Sequence, residues 1–241
     1  MRIIVTLQVE SLRLPLACNY ILQSFIYRVL SNNSDYSGFI HDSGYRAERK
    51  AFKLFTFRGL TGRYSIEGKD ILFHGSVSLE LRSPDAMFIQ TFLAGCRIGQ
   101  SFSLYGQEVT VSSCRLINAP LLLDGALVAT ISPITVHTTD GMGHTVYYNP
   151  FDAAFYDQVV ANAQRKWASF YGNAPFSFSL ESVENRTYRR LVTRFKGTYI
   201  TGWHGNFILH GAPQALDFLY HTGLGARNSQ GFGMFEPMVG K

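Results

Sequence analysis

The spacing of apolar residues changes period several times along this chain, and the order of those changes limits its fold more than any other feature. Residues 2–10, RIIVTLQVE, alternate as a strand does. In CNYILQSFIYRVLSN, residues 18–32, the apolar positions Ile21, Leu22, Phe25, Ile26, Val29 and Leu30 recur at helical spacing. YSGFIHDSGY (36–45) reads as a short helix or turn. AFKLFTFRGL (51–60) and DILFHGSVSLEL (70–81) read as strands joined by a polar turn. SPDAMFIQTFLAGC (83–96) opens with a helix-start signal and carries an apolar helical stripe. SFSLYGQEVTVSSCRLIN (101–118) closes the first half with more strand.

The second half runs through a similar order. ALVATISPITVHT (126–138) reads as a strand, and DAAFYDQVVANAQRKWASFYG (152–172) as a helix striped by Phe155, Val159, Ala163 and Trp167. PFSFSLES (175–182) and YRRLVTRFKGTYITGWHGNFILHG (188–211) supply strands, APQALDFLYHTG (212–223) a helix, and FGMFEPMV (232–239) a last strand. Each half is thus β-α-β-β-α-β, the ferredoxin-like order. The expected fold class is α+β, with two tandem ferredoxin-like (RRM-like) domains, 1–120 and 121–241, and a central cleft between them. The halves share element order and no evident sequence identity, and the break falls in NAPLLLDG (118–125). A cleft of that kind suits a long, thin ligand, although fold alone does not give function.

Composition narrows the partners. Hydrophobic residues make up 46% of the 241 residues, enough for a buried core. The net charge of +5 is moderate, but arginine far outnumbers lysine, and arginine is the better fork for phosphates and the better plane for bases. Cys18, Cys96 and Cys114 are widely spaced and form no CxxC, so they read as reduced thiols of a cytoplasmic protein. The N-terminal run is interrupted by Glu10 and Arg13, and no segment is long and apolar enough to span a bilayer, so no membrane partner is expected.

GLGARNSQGFGMFE, residues 223–236, places four glycines within eleven residues near the end of the chain. Such loops let a backbone approach something closely, often a phosphate. The dinucleotide fingerprint fails here, because its third glycine position holds Asn228 and Pro237 prevents a following helix. No G-K-[ST] triplet marks a nucleoside-triphosphate loop, so a nucleotide-using small-molecule enzyme is disfavoured. The loop on its own is compatible with anion contact or with a tight turn before a last strand.

Other chemistry gathers in FIHDSGYRAERKAFKLFTF, where His41, Arg46, Arg49, Lys50, Lys53 and Arg58 fall close together. A histidine among cations suits phosphodiester chemistry: it moves a proton near neutral pH, and a cation stabilises charge on phosphorus. A solvated loop in which His41 caps a short helix would show the same residues. Tyr27 lies opposite the apolar stripe of its helix, with Tyr20, Ser24 and Ser31. ENRTYRRLVTRFKGTY carries Arg186, Arg189, Arg190, Arg194 and Lys196, either a basic ribbon for RNA or a charged edge strand. The seven histidines form no zinc spacing, and no paired-carboxylate motif or hydrolase serine elbow occurs, so no metal or cofactor is expected.

Taken in order, LPLACNYILQSFIYRVL, FIHDSGY, FKLFTF, ISPITV and GLGARNSQGFGMFE resemble the Cas6 family of CRISPR-associated endoribonucleases, within the RAMP superfamily, over nearly the whole chain. The resemblance implies binding of CRISPR precursor RNA and one cut within each repeat. It implies metal-free attack by the 2′-OH, leaving a 2′,3′-cyclic phosphate and releasing guide RNAs for the interference complex. His41 matches the family's catalytic histidine, Tyr27 a tyrosine that some members use beside it, and Lys53 a lysine that stabilises the pentavalent phosphate. Lys50 and Arg49 are substitutes for Lys53 if the loop turns differently. The resemblance places the glycine loop between the domains in contact with RNA, through Gly223, Gly225, Arg227, Asn228, Ser229, Gly231 and Gly233, with docking of the domains as a second role. Arg46, Arg49, Lys50 and the ribbon 186–196 complete the expected RNA surface. A catalytically silent RNA-binding subunit of a CRISPR effector complex is the alternative. Interference-complex subunits and a second copy of the chain are compatible partners.

Overall fold

The structure, a computed structural model, describes residues 1–184 and 187–238. Its first half contains β1 (Arg2–Gln8), β2 (Ser11–Pro15), α1 (Asn19–Leu30), α2 (Ser34–Gly38), a π-helical turn (Phe39–Ser43), β3 (Tyr45–Ala47), β4 (Lys50–Phe52), β5 (Thr56–Phe57), β6 (Thr61–Glu67), β7 (Asp70–Arg82), α3 (Ala86–Gly95), β8 (Ser101–Leu104) and β9 (Gln107–Ile117). The long strand β7 is the axis of one antiparallel sheet. It takes β1 and β2 along one edge and β5 and β6 along the other, while β9 adds to the far edge of β1. That is the ferredoxin-like strand order. Alternation on β1 buries Ile3, Val5 and Leu7. They share one core with the stripe of α1 (Ile21, Leu22, Phe25, Ile26, Val29, Leu30) and with Phe88, Ile89 and Phe92 of α3.

The second half contains β10 (Ala126–Thr130), β11 (His137–Thr139), β12 (Thr145–Tyr147), α4 (Ala153–Tyr171), β13 (Phe178–Ser182), β14 (Arg189–Phe195), β15 (Thr198–His204), β16 (Asn206–Gly211), α5 (Pro213–Thr222) and β17 (Phe235–Pro237). Its four-stranded sheet runs β13-β16-β10-β17, the same order again. The β11–β12 and β14–β15 hairpins are additions to that frame. A second core joins Val128, Phe207 and Leu209 of the sheet to Phe155, Val159, Ala163 and Trp167 of α4 and to Leu216 and Leu219 of α5. Among the described residues, no helix is long and apolar enough to cross a membrane.

Three expected strands are shorter than the apolar pattern suggested. The run 126–138 stops as a ladder at Thr130, because the next stretch gives its hydrogen bonds to the glycine loop. Ile131 N–H and Ser132 N–H both donate to the Met234 carbonyl, Pro133 C=O accepts from Gly233 and Thr135 C=O accepts from Ala226. The last strand spans Phe235–Pro237 alone. The run 51–60 is split as well. Lys50–Phe52 folds back on Tyr45–Ala47, and Leu54 then takes a left-handed conformation (φ 46°) that drops its side chain into the second core.

The domains are also tied by charge. Arg82, fully buried at the end of β7, binds Glu80 Oε1 at 2.6 Å, Glu236 Oε1 at 2.5 Å and the Phe235 carbonyl at 2.8 Å, with its guanidinium 3.8 Å from the Tyr220 ring centre. Arg2 joins the cluster through Glu80 at 2.8 Å and Glu236 at 3.4 Å. Removing one member of such a group leaves an unpaired buried charge, which costs about 3–5 kcal/mol.

Candidate active site and nucleic-acid interface

The π-helical turn after α2 throws His41 outward, with its side chain 68% exposed. Gly44 ends the turn at positive φ, and a Cβ there would stand 2.5 Å from the Phe52 carbonyl. The chain therefore passes closely against β4, and Lys53 reaches back so that its ammonium donates to the His41 carbonyl at 2.5 Å. The His41 ring lies edge-on to Tyr27, ring centres 5.6 Å apart, and Tyr27 lies edge-on to Phe55 at 6.0 Å. The three residues named from the sequence, Tyr27, His41 and Lys53, thus come from α1, the turn and the segment after β4 to one place.

Their surroundings differ. Tyr27 is half-buried against the first core, and burial pushes its hydroxyl up to about 12, so it stays protonated at neutral pH. Burial also lowers the Lys53 ammonium; Arg46 adds to the lowering and Asp42 opposes it. His41 Nδ1 is 2.6 Å from Asp42 Oδ1. That contact assigns the Nδ1 proton to Asp42 and leaves Nε2 as the nitrogen open to a substrate.

Cations surround this centre. Arg46, Arg49 and Lys50 are exposed on the β3–β4 hairpin. A cleft of about 380 Å³ separates the domains here, lined by Lys50, Lys53, His137, Lys166, Arg227 and Ser229 among others. Burial lowers the His137 imidazole, and both Arg227 and Lys50 push it further down. A second cleft of about 510 Å³ lies between Leu16 and Asn19 of the first domain and the β14–β15 hairpin. In the hairpin register, Arg190 and Arg194 share a face with Val192, while Arg189 points from the other face. Lys196 sits in the turn at φ 45°, and all four of these cations are exposed. Arg186 lies outside the described residues.

The glycine loop packs between the two halves, the docking role expected beside its RNA contact. Gly223, Gly225, Gly231 and Gly233 are all buried. What they approach is protein: a Cβ at Gly225 would stand 2.7 Å from the Thr135 carbonyl, and one at Gly231 would stand 2.6 Å from Asn19 Nδ2. Asn228 is buried too, and its amide is fully engaged. Nδ2 donates to the Leu224 and Phe232 carbonyls at 3.0 Å each, and Oδ1 accepts from Lys166 at 3.1 Å. These five residues therefore shape the loop. From the first domain, Asn19 donates to the Gln230 carbonyl at 3.0 Å, Gln23 to Ser229 at 2.6 Å and Thr56 to Phe232 at 3.2 Å. Only Arg227 and Ser229, which line the first cleft and are partly exposed, keep the expected access.

The family model described as "CRISPR associated protein Cas6, C-terminal" matches residues 120–237, which include the loop and the β14–β15 hairpin. "CRISPR-associated endoribonuclease Cas6 1" of Methanocaldococcus jannaschii is 28% identical over 97% of this chain and 91% of its own length. "CRISPR-associated endoribonuclease Cas6" of Pyrococcus furiosus is 26% identical over 94% of this chain and 84% of its own length. A solved structure titled "CRISPR associated protein Cas6" superimposes with a TM-score of 0.80 at 28% identity, covering 99% of both chains. The chain is similar to Cas6 proteins over nearly its whole length.

Within this Cas6-like framework, two buried side chains were not singled out from the sequence. Lys166 is 2% exposed and holds the loop at Gly223 and Asn228. Its position was a signal, since it falls on the apolar stripe of α4 between Ala163 and Trp167. Asp85, read as part of a helix start, is 7% exposed and binds two tyrosine hydroxyls. Its partners lie far off in sequence, so spacing gave no hint of them.

Proposed function

We propose that this chain is a metal-independent endoribonuclease that binds CRISPR repeat RNA and cuts the precursor transcript within each repeat. The observation that carries the reading is the convergence of His41, Tyr27 and Lys53, matched to family catalytic positions, beside a cation-lined cleft. RNA brings its own nucleophile. The 2′-oxygen upstream of the cut bonds to phosphorus, the bond from phosphorus to the 5′-oxygen breaks, and the products are a 2′,3′-cyclic phosphate and a 5′-OH. One proton leaves the 2′-OH and one arrives on the 5′-oxygen. His41 Nε2 carries one of these transfers, with Asp42 holding the ring by its other nitrogen. The Lys53 ammonium has donors beyond the one given to the His41 carbonyl, and these face the charge that builds on the phosphate. Tyr27, protonated throughout, supports the ring and keeps a hydroxyl proton to donate to the RNA. Arg46, Arg49, Lys50, Arg227 and Ser229 bind the strand near the cut, and Arg189, Arg190, Arg194 and Lys196 bind it along the hairpin.

The test is cleavage of the cognate repeat RNA in excess EDTA, beside a substrate with a 2′-deoxy nucleotide just upstream of the cut. A single cut in EDTA that disappears with the deoxy substrate is expected. His41→Ala should abolish the cut and spare binding. Tight binding with no cut by the unaltered chain would favour the silent RNA-binding subunit instead.

A further inference from the structure

We propose that the turn Ser83–Pro84–Asp85, between β7 and α3, is the positioning element that sets His41 against Lys53. The inference rests on the reading of those two residues as reacting groups and adds four residues to it: Ser83, Asp85 and the tyrosine pair that Asp85 holds, Tyr36 and Tyr45.

His41 is not fixed by packing, since its side chain is largely in solvent. Its turn must be held from the flanks. Tyr36 lies five residues before it and Tyr45 four residues after it, and both hydroxyls donate to the same oxygen, Asp85 Oδ2, that of Tyr45 at 2.6 Å. Asp85 itself cannot drift. Its Oδ1 caps α3 by accepting from Met87 N–H at 2.8 Å, and its own N–H donates to Ser83 Oγ at 3.1 Å. The phenols remain donors, because burial and then the Asp85 carboxylate push both hydroxyls upward.

The same turn grips the lysine side. Ser83, fully buried, donates its hydroxyl to the Leu54 carbonyl at 2.8 Å. Leu54 is the residue after Lys53 and is held in its left-handed conformation with its side chain in the second core. The Lys53 bond to the His41 carbonyl then closes a ring of contacts from Asp85 through the tyrosines, His41, Lys53 and Leu54 back to Ser83. Phenyl rings would fill the space as well as phenols do. Two hydroxyls converging on one carboxylate oxygen fix a direction, which packing alone does not.

The experiment compares single-turnover cleavage and RNA affinity for Tyr36→Phe/Tyr45→Phe, Tyr45→Phe alone, and Ser83→Ala. The probe is a synthetic CRISPR repeat RNA that the unaltered chain cuts. The tyrosine variants should cut about ten- to a hundredfold more slowly, the scale expected for a small misplacement of a reacting group. Affinity should stay within about twofold, because no RNA contact is removed. Ser83→Ala should slow cleavage in the unaltered chain and cost nothing more in a Lys53→Ala background, since it acts through Lys53. That coupling is a readout that a general loss of stability would not give. Full cleavage rate in both Tyr45→Phe and Ser83→Ala, while His41→Ala is dead, would overturn the positioning role and leave the activity standing. Unchanged cleavage by His41→Ala would instead remove the activity's assignment, and this inference with it.

Discussion

Lys166 lets the pH dependence of stability be worked out in sign and size. Its ammonium donates to the Gly223 carbonyl and to Asn228 Oδ1, and among the described residues it makes no ion pair with a carboxylate. Burial lowers its pKa from 10.5 to about 7. In the unfolded chain the group titrates at its ordinary value. Between those two pH values the unfolded chain therefore holds a proton that the folded chain has lost, so stability rises with pH across the window and is lowest below it. At 1.36 kcal/mol per pH unit the full lowering corresponds to about 5 kcal/mol. The two acceptors favour the ammonium and hold the real rise to about 2–4 kcal/mol. The assay is urea unfolding of the unaltered chain and of Lys166→Met at intervals from pH 6.5 to pH 10. Subtracting one from the other cancels the tyrosines, cysteines and α-amine that both share. The difference should grow in favour of the unaltered chain toward pH 10, where a neutral amine still serves the Gly223 carbonyl and methionine does not. A difference that stays flat across the window would refute a buried, weakly basic Lys166.

Three further outcomes are expected. Gly233→Ala should lower stability by more than about 2 kcal/mol, read as a fall in Tm, since the site has φ 76° and an added Cβ would stand 1.9 Å from the Leu224 carbonyl. Arg190→Ala and Arg194→Ala should weaken RNA binding and flatten the slope of log K against log salt by about 0.7 for each phosphate no longer neutralised, with the rate at saturating RNA unchanged; an unaltered slope would show that the hairpin does not follow the RNA backbone. Arg82→Met should cost up to about 3–5 kcal/mol, because Glu80 and Glu236 then share only the more exposed Arg2 and the Phe235 carbonyl loses its donor, and a loss under about 1 kcal/mol would show that Arg2 and water suffice for that cluster.

Much of the frame was legible because it is local. The stripe of α1, the alternation on β1 and the doubled element order all follow from residues near one another in sequence, and the strand orders agree with them. The meeting of His41 with Tyr27 was legible only through a family pattern, since nothing in spacing brings α1 to the turn at 39–43. The glycine loop was legible as a place of close approach, with docking of the domains as one expected role, but not in which residues it meets. Its neighbours Asn19, Thr56, Thr135 and Lys166 come from four separate elements or loops, and a sequence pattern does not report such meetings. The same holds for Ser83 and Asp85, whose short, polar turn looks like ordinary helix-start chemistry until its distant partners are seen.

The filled seam between the domains has a consequence for how a substrate is admitted. Side chains from α1, β5 and β7 all fasten to the glycine loop or to the strand after it, so neither domain is free to swing as a jaw. The grooves on that seam lie open at the surface, and nothing among the described residues folds over them like a lid. A target buried in the middle of a long transcript has no nearby end to thread. Under the proposed function, it is laid in sideways and lifted out the same way, and the pace of release is expected to follow the grip of the RNA and not an opening of the protein.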